Sequence, residues 1–194
     1  MITVVCVKVG TKYGPEYVNT LQSMVERYLK IPHRFLCITD DPTGIFCACL
    51  PPEEEGEGWW TKLTLFRENP YGIKGKLLFF DLDVVIVDDI DPLATFDSDF
   101  AIIRDWNANH LYNSSVFLLK TGSQTQVWET YNRQTRNGGD QDHITLHSKA
   151  DIWPTEWVRS YKKECMDEPK GKVVVFHGNP NPHMCGGWVE EQWR

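Results

Sequence analysis

The first half of the chain alternates short, β-branched apolar segments with segments of helical spacing, and this alternation restricts the fold more than any other feature. Residues 2–9 predict a buried first strand, and apolar residues at helical spacing follow over residues 16–29. Further strands are predicted at 34–39, 45–50, 76–80, 84–87, 100–103, 115–119 and 172–176, and further helices at 60–67, 123–135 and 140–147. Strands that alternate with helices favour parallel pairing under a helical cover. The sequence therefore predicts an α/β fold with a mixed, mainly parallel sheet flanked by helices.

Residues 1–194 are interpreted as one compact domain, because the sequence contains no internal repeat and no linker long enough to separate two domains. Hydrophobic residues make up 41% of the chain and charged residues 24%, which is usual for a globular protein. The polar run from Glu53 to Gly58 is interpreted as a solvated loop.

The formal net charge of −7 comes from one segment of the chain. Residues 77–103 contain seven Asp and no Lys or Arg, and the charges of the remaining residues balance. A nucleic-acid-binding protein needs a clustered cationic face, so no nucleic-acid partner is expected.

The cysteines and the first residues bear on the compartment. Lys8 interrupts the first apolar run, which is therefore not a signal peptide, and no stretch approaches the roughly 20 apolar residues of a membrane span. Cys47 and Cys49 form a C-x-C pair, but no second pair follows at zinc-finger spacing. We expect reduced thiols and a cytoplasmic location.

Asp81 and Asp83 follow an apolar strand and flank a single leucine. If the backbone stays extended there, the two carboxylates point the same way. Two negative charges at so short a distance repel each other, and one must take up a proton unless a cation lies between them. Hard oxygen ligands suit Mg²⁺ or Mn²⁺, and ligands of α/β sheets bind at the carboxyl ends of strands. The alternative is a pair of turn carboxylates, which is the favoured interpretation for the other aspartates: Asp88, Asp89, Asp91, Asp97 and Asp99.

His177 follows the last apolar strand and stands at the start of a loop rich in Gly and Pro. By itself it is typical of a core or turn histidine. However, a metal ion held by Asp81 and Asp83 would still need a third protein ligand, and this need makes His177 a candidate metal ligand.

These motifs resemble the glycogenin-like, family 8 glycosyltransferases of the GT-A fold, from the first strand to His177. The Asp81-Leu82-Asp83 triplet matches the D-x-D motif of the family. The resemblance implies a Rossmann-like nucleotide-diphospho-sugar transferase fold. It also implies Mn²⁺ (or Mg²⁺) held by Asp81, Asp83 and His177 on the diphosphate of the donor.

The resemblance also implies roles for other residues. The residues implied to contact the donor are Thr11, Tyr13, Lys62, Asp81, Leu82, Asp105, Asn113, Ser114 and Gly178. Asp140 and Gln141 resemble the D-Q pair beside the reacting sugar, and Asp142 is a second candidate carboxylate in the same turn. Trp106 is one of several tryptophans near these motifs that are candidates for stacking on a sugar.

Three features depart from the family pattern. Ser115 replaces a glycine, and Asn181 stands where the closing loop of the family carries a phosphate-binding lysine. The chain is also shorter than typical members, which suggests a small or missing acceptor region.

The expected reaction is metal-dependent transfer of a sugar, with retention implied by the resemblance, from a nucleotide-diphosphate sugar such as a UDP-sugar. The acceptor is a hydroxyl of a glycan, lipid or protein. One alternative is a nucleotide-sugar-binding module without transfer activity. Another is a haloacid-dehalogenase-type phosphatase with Asp81 as nucleophile, although about 80 residues of α/β pattern precede its triplet. A nucleotidyltransferase would need a longer glycine-rich N-terminal loop.

Overall fold

Apolar segments along the chain form ten strands in two sheets of the described residues. The structure, a computed structural model, describes residues 1–53, 58–107 and 111–194, so residues 54–57 of the predicted polar loop lie outside the described residues. The strands are β1 (Ile2–Lys8), β2 (His33–Thr39), β3 (Ala48–Leu50), β4 (Lys76–Phe80), β5 (Val84–Ile86), β6 (Phe100–Arg104), β7 (Tyr112–Lys120), β8 (Asp151–Ile152), β9 (Val158–Ser160) and β10 (Val173–Val175).

The helices are short after the first one. They are α1 (Pro15–Tyr28), α2 (Asp91–Ala94), α3 (Gln126–Glu129), α4 (Asp140–His147), α5 (Tyr161–Glu164) and α6 (Trp188–Gln192), with 3₁₀ helices at Gly58–Phe66, Pro70–Gly72 and Pro182–Met184. The predicted helix over 123–135 was wrong, because only four residues of it are helical. The predicted helix over 60–67 is the first 3₁₀ helix.

The large sheet has seven strands in the order β3-β2-β1-β4-β7-β6-β8. Four of its six pairings are parallel and two, β4 with β7 and β6 with β7, are antiparallel. The predicted mixed, mainly parallel sheet is therefore confirmed. The chain passes from β1 to β2 on one side and later to β4 on the other, which makes the gap between β1 and β4 a switch point of the strand order.

A hydrophobic layer covers each face of the large sheet. On one face, α1 packs Leu21 and Val25 together with Leu78 of β4. On the other, Leu63 and Phe66 of the long 3₁₀ helix share a core with Phe79. This burial on both faces fixes β4, whose last residue leads directly into Asp81.

The small sheet, in the order β5-β10-β9, was not predicted. Its strand β5 begins one residue after Asp83 and pairs antiparallel with β10, which ends two residues before His177. Phe176 donates its backbone N–H to the carbonyl oxygen of Asp83 over 2.9 Å. The small sheet thus brings the closing loop, residues 177–182, next to the acidic triplet, although about 90 residues separate the two segments in the chain.

Candidate active site

A cavity of about 180 Å³ opens at the carboxyl ends of β1 and β4, at the switch point of the large sheet. Its lining residues are Val7, Lys8, Val9, Lys12, Tyr13, Gly58, Trp59, Lys62, Asp81, Leu82 and Asp83. Asp81 and Asp83 both line this cavity, although Leu82 and Asp83 form a turn rather than extended backbone. Thr11 is exposed and is not part of the cavity wall formed by the described residues.

Lys62 joins the acidic triplet to helix α4. Its ammonium lies 2.8 Å from Asp81 Oδ1 and 3.0 Å from Asp140 Oδ2, and the lysine is only 2% exposed. Burial works against its charge, but the Asp140 and Asp81 carboxylates outweigh that effect and raise the pKa of Lys62. Lys62 is therefore a buried cation that fixes two carboxylates on different elements.

Lys62 does not fully offset the effect of burial on the Asp81 carboxylate. Burial, together with the charges of Asp83 and Asp140, raises the pKa of Asp81 to about 6 even though Lys62 lowers it. Its Oδ1 accepts from Lys62, whereas its Oδ2 accepts no hydrogen bond from the described residues. One oxygen of Asp81 is thus left for a ligand in the cavity.

Asp83 is held by the loop after β1. The Tyr13 hydroxyl donates to Asp83 Oδ2 over 2.9 Å, and burial raises the pKa of Asp83 despite this hydrogen bond. Burial and the Asp83 charge also raise the pKa of Tyr13, so Tyr13 keeps its proton and remains a donor. The structure brings the two residues together from positions 70 apart in the chain.

A second hydrogen-bond network connects β7 with α4. Ser114 donates its hydroxyl to Asp140 Oδ2 over 2.8 Å, and Asn113 donates its amide to Gln141 Oε1 over 3.1 Å. Gln141 in turn donates to Asp105 after β6. Five residues predicted from sequence therefore form one connected group.

Asp142 has a contact of a different kind. Its Oδ2 accepts the backbone N–H of Gly139 over 2.7 Å, which caps the first turn of α4. Asp140, in contrast, contacts Lys62 and Ser114. This contact ties Asp142 to the start of the helix that carries Asp140 and Gln141.

His177 follows β10 and is not among the residues that line the cavity. Its Nε2 is 2.7 Å from the hydroxyl of the fully buried Ser160, and its ring stacks on Trp106 with centroids 5.7 Å apart. Burial and then the Lys162 charge lower the pKa of His177, while Asp105 and Asp83 act in the opposite direction. Neither Ser160 nor Lys162 was predicted from sequence, because no local pattern marks them.

The donor set suits a hard divalent cation only in part. Asp81 and Asp83 supply carboxylate oxygens at one cavity, and burial raises the pKa of both, a cost to their charged forms that a bound cation would offset. Within the described ranges, however, no three His, Cys, Asp or Glu residues are grouped closely enough to bind a metal. The carboxylate pair fits a metal, whereas His177 as third ligand stays a prediction.

Two further findings concern the cysteines and the membrane. All six cysteines are free thiols. Among the helices of the described residues, none has the length and apolar character needed to cross a bilayer.

No protein-family model and no curated protein matches the chain, but many solved structures do. The galactosyltransferase LgtC, solved with donor and acceptor sugar analogs, is 14% identical with a TM-score of 0.67, over 97% of this chain and 93% of LgtC. The glycosyltransferase GlyE of Streptococcus pneumoniae TIGR4 is 13% identical with a TM-score of 0.74, over 100% of this chain and 60% of GlyE. The bifunctional glycosyltransferase WbbM is 10% identical with a TM-score of 0.70, over 93% of this chain and 46% of WbbM.

These likenesses define the fold. The chain has the GT-A fold of glycosyltransferases, as predicted from the sequence. It spans 60% of GlyE and 46% of WbbM, so those proteins contain further segments with no counterpart here.

Proposed function

We propose that this chain is a glycosyltransferase similar to family 8, which moves a sugar from a nucleotide-diphosphate sugar, in the first instance a UDP-sugar, to an acceptor hydroxyl. The observation that carries this proposal is the cavity at the β1–β4 switch point, where Asp81 and Asp83 meet the buried Lys62–Asp140 pair. The fold shared with LgtC, GlyE and WbbM supports it.

Asp81 and Asp83 would hold Mn²⁺ (or Mg²⁺), with His177 as the proposed third ligand. A metal ion bound there would offset charge on the diphosphate as the bond to the sugar breaks. The chain contributes fixed groups: Tyr13 positions Asp83, and Lys62 positions Asp81. Since Lys62 already faces two carboxylates, its role here is to orient them rather than to lend charge to the diphosphate.

The Asp105–Gln141–Asn113 chain would bind hydroxyls of the donor sugar. Each amide group in it is already oriented by a neighbour, so the donors and acceptors need little rearrangement when a sugar binds. Asp140 and Gln141 at the start of α4 would lie beside the reacting carbon. Retention of configuration follows from the family resemblance and belongs to the same proposal.

The test combines binding with turnover. A thermal-shift panel of nucleotide sugars, with and without Mn²⁺, should show one donor that stabilises the protein, by about 2.7 kcal/mol at a hundredfold excess over its Kd. Replacement of Asp83 by Asn should abolish Mn²⁺-dependent hydrolysis of that donor. Asp99→Asn is the matched control, because Asp99 belongs to the same acidic segment but is 58% exposed.

The outcomes separate the candidate functions. Undiminished turnover by Asp83→Asn contradicts the metal site. Tight Mn²⁺-dependent binding of UDP without transfer to an acceptor or to water identifies a binding module instead, and a phosphorylated Asp81 identifies a phosphatase.

A further inference from the structure

Lys162 places a cation against the closing loop. It lies on α5, directly after β9, and is half-buried. Gly178, next to His177, has no side chain, and a carbon added there would lie 3.5 Å from Lys162 Nζ. The ammonium is therefore within contact range of the loop at Gly178.

The charge of Lys162 has no partner among the described residues: it makes no hydrogen bond and no ion pair with them. Lys62 and Lys163 differ from Lys162 in this respect, whereas Lys8 and Lys12 of the cavity wall resemble it. Lys62 is paired with two carboxylates, and Lys163 donates to the Trp106 carbonyl and to Asn107 Oδ1, both over 2.9 Å. A half-buried cation without a carboxylate is suited to bind an anion from outside the chain.

Lys162 lies beside Gly178, the residue that follows His177. The charge of Lys162 lowers the pKa of His177, after the larger effect of burial, and Asp83 at the cavity acts on His177 in the opposite direction. Backbone pairing between Phe176 and Asp83 keeps this loop beside the acidic triplet. The loop itself, residues 177–182, contains no Lys or Arg.

We propose that Lys162 Nζ binds a phosphate oxygen of the donor diphosphate at the His177–Gly178 loop. This inference rests on the proposed function and adds the group that recognises the phosphates. A lysine on a separate helix thereby supplies the positive charge that the loop lacks. Binding needs no bond to form or break, only approach of the diphosphate to the open side of Gly178.

The test measures binding of three probes, UDP, uridine and inorganic pyrophosphate, by calorimetric or NMR titration with Mn²⁺ present. Lys162→Met should weaken binding of UDP and of pyrophosphate about tenfold or more, because a charge-assisted hydrogen bond is lost. Uridine binding should not change. Lys162→Arg should restore most of the affinity, and Lys163→Met is the matched control that should bind like the wild type.

Each result bears on one of the two proposals. UDP and pyrophosphate affinities of Lys162→Met within about twofold of the wild type overturn the role of Lys162 and leave the proposed function standing. An equal loss for uridine shows a structural role and also overturns it. If the protein binds pyrophosphate in a Lys162-dependent way but does not bind UDP, the role of Lys162 is supported and the proposal of a UDP-sugar donor is contradicted. A wild-type protein that binds neither overturns both.

Discussion

Lys62 is the residue on which the charge balance of the site depends. It is nearly fully buried between Asp81, which directly follows β4, and Asp140, the first residue of α4. A buried ion pair adds little net stability when intact, because desolvation of its charges offsets most of their attraction. Loss of one partner is costly, since the remaining charges stay buried. This asymmetry leads to a prediction about stability.

Lys62→Met should lower the free energy of unfolding by about 3 kcal/mol, because the half-buried Asp81 and the buried Asp140 lose their common cation. Chemical denaturation followed by circular dichroism measures this change. Lys120→Met is the control, because Lys120 and Asp99 form an exposed pair whose removal should cost no more than about 0.5 kcal/mol. A Lys62→Met protein as stable as the Lys120→Met protein would contradict the prediction.

Asp81 gives a second prediction, on pH. Its pKa is about 6 in the folded protein against an ordinary value of 3.8, so the folded state binds the Asp81 proton more tightly than the unfolded state does. Stability from this group is present at low pH and is lost as the pH rises through that interval. Asp81→Asn removes the titration. In metal-free buffer, the stability of Asp81→Asn relative to wild type should rise between pH 4 and 7 by on the order of 2 kcal/mol.

Denaturation curves at several pH values measure this difference. Other titrating groups occur in both proteins and cancel to first order. A difference that stays flat, or that falls as the pH rises, would show that Asp81 ionises normally.

At the scale of elements, the sequence predicted the parts that local pattern determines. The apolar run of β4 and the aspartates after it were recognisable because a buried strand followed by two close carboxylates is a local signal. The small sheet was not, since β5 pairs with β10 through contacts about 90 residues apart. Likewise, the contact between Ser160 and His177 depends on the parallel pairing of β9 with β10. The wrong helix over 123–135 contains three Thr, one Ser and one Asn, residue types with low preference for helix interiors.

Helix α4 carries the third prediction. Asp142→Ala removes the acceptor for the Gly139 N–H and should cost about 1 kcal/mol. Thermal denaturation should show a midpoint lower by about 2–4 °C. Asp142→Asn keeps an acceptor oxygen and should restore most of this loss.

The same two variants separate capping from chemistry. If Asp142 only caps α4, both variants should bind UDP with the wild-type affinity below their melting temperatures. Loss of turnover in Asp142→Asn at normal stability would instead assign Asp142 a catalytic role.

At the scale of the whole molecule, the end of the described chain folds back on α1. Arg27 donates to the carbonyl oxygens of Gln192 and Arg194, and the Tyr28 hydroxyl donates to Gln192 Oε1. Sequence pattern could not predict this closure, because its contacts span about 165 residues. The fold class follows from the local alternation of strands and helices, whereas the position of the last residues against α1 follows from these distant contacts.

Trp193 anchors this closure and gives the last prediction. Its ring packs against Tyr17 of α1, with centroids 5.1 Å apart, and against His183 of the 3₁₀ helix that follows the loop. The Nδ1 of His183 hydrogen bonds to the Tyr17 hydroxyl. Trp193→Ala should remove about 1 kcal/mol of aromatic packing and loosen residues 177–187. Hydrogen exchange should then quicken in that loop and in α6 but not in β1 or β4, because both faces of those strands remain covered. Phe46→Ala, which truncates an 84% exposed ring, should change exchange in neither region. Faster exchange throughout the large sheet would mean that the closure supports the whole fold rather than the loop.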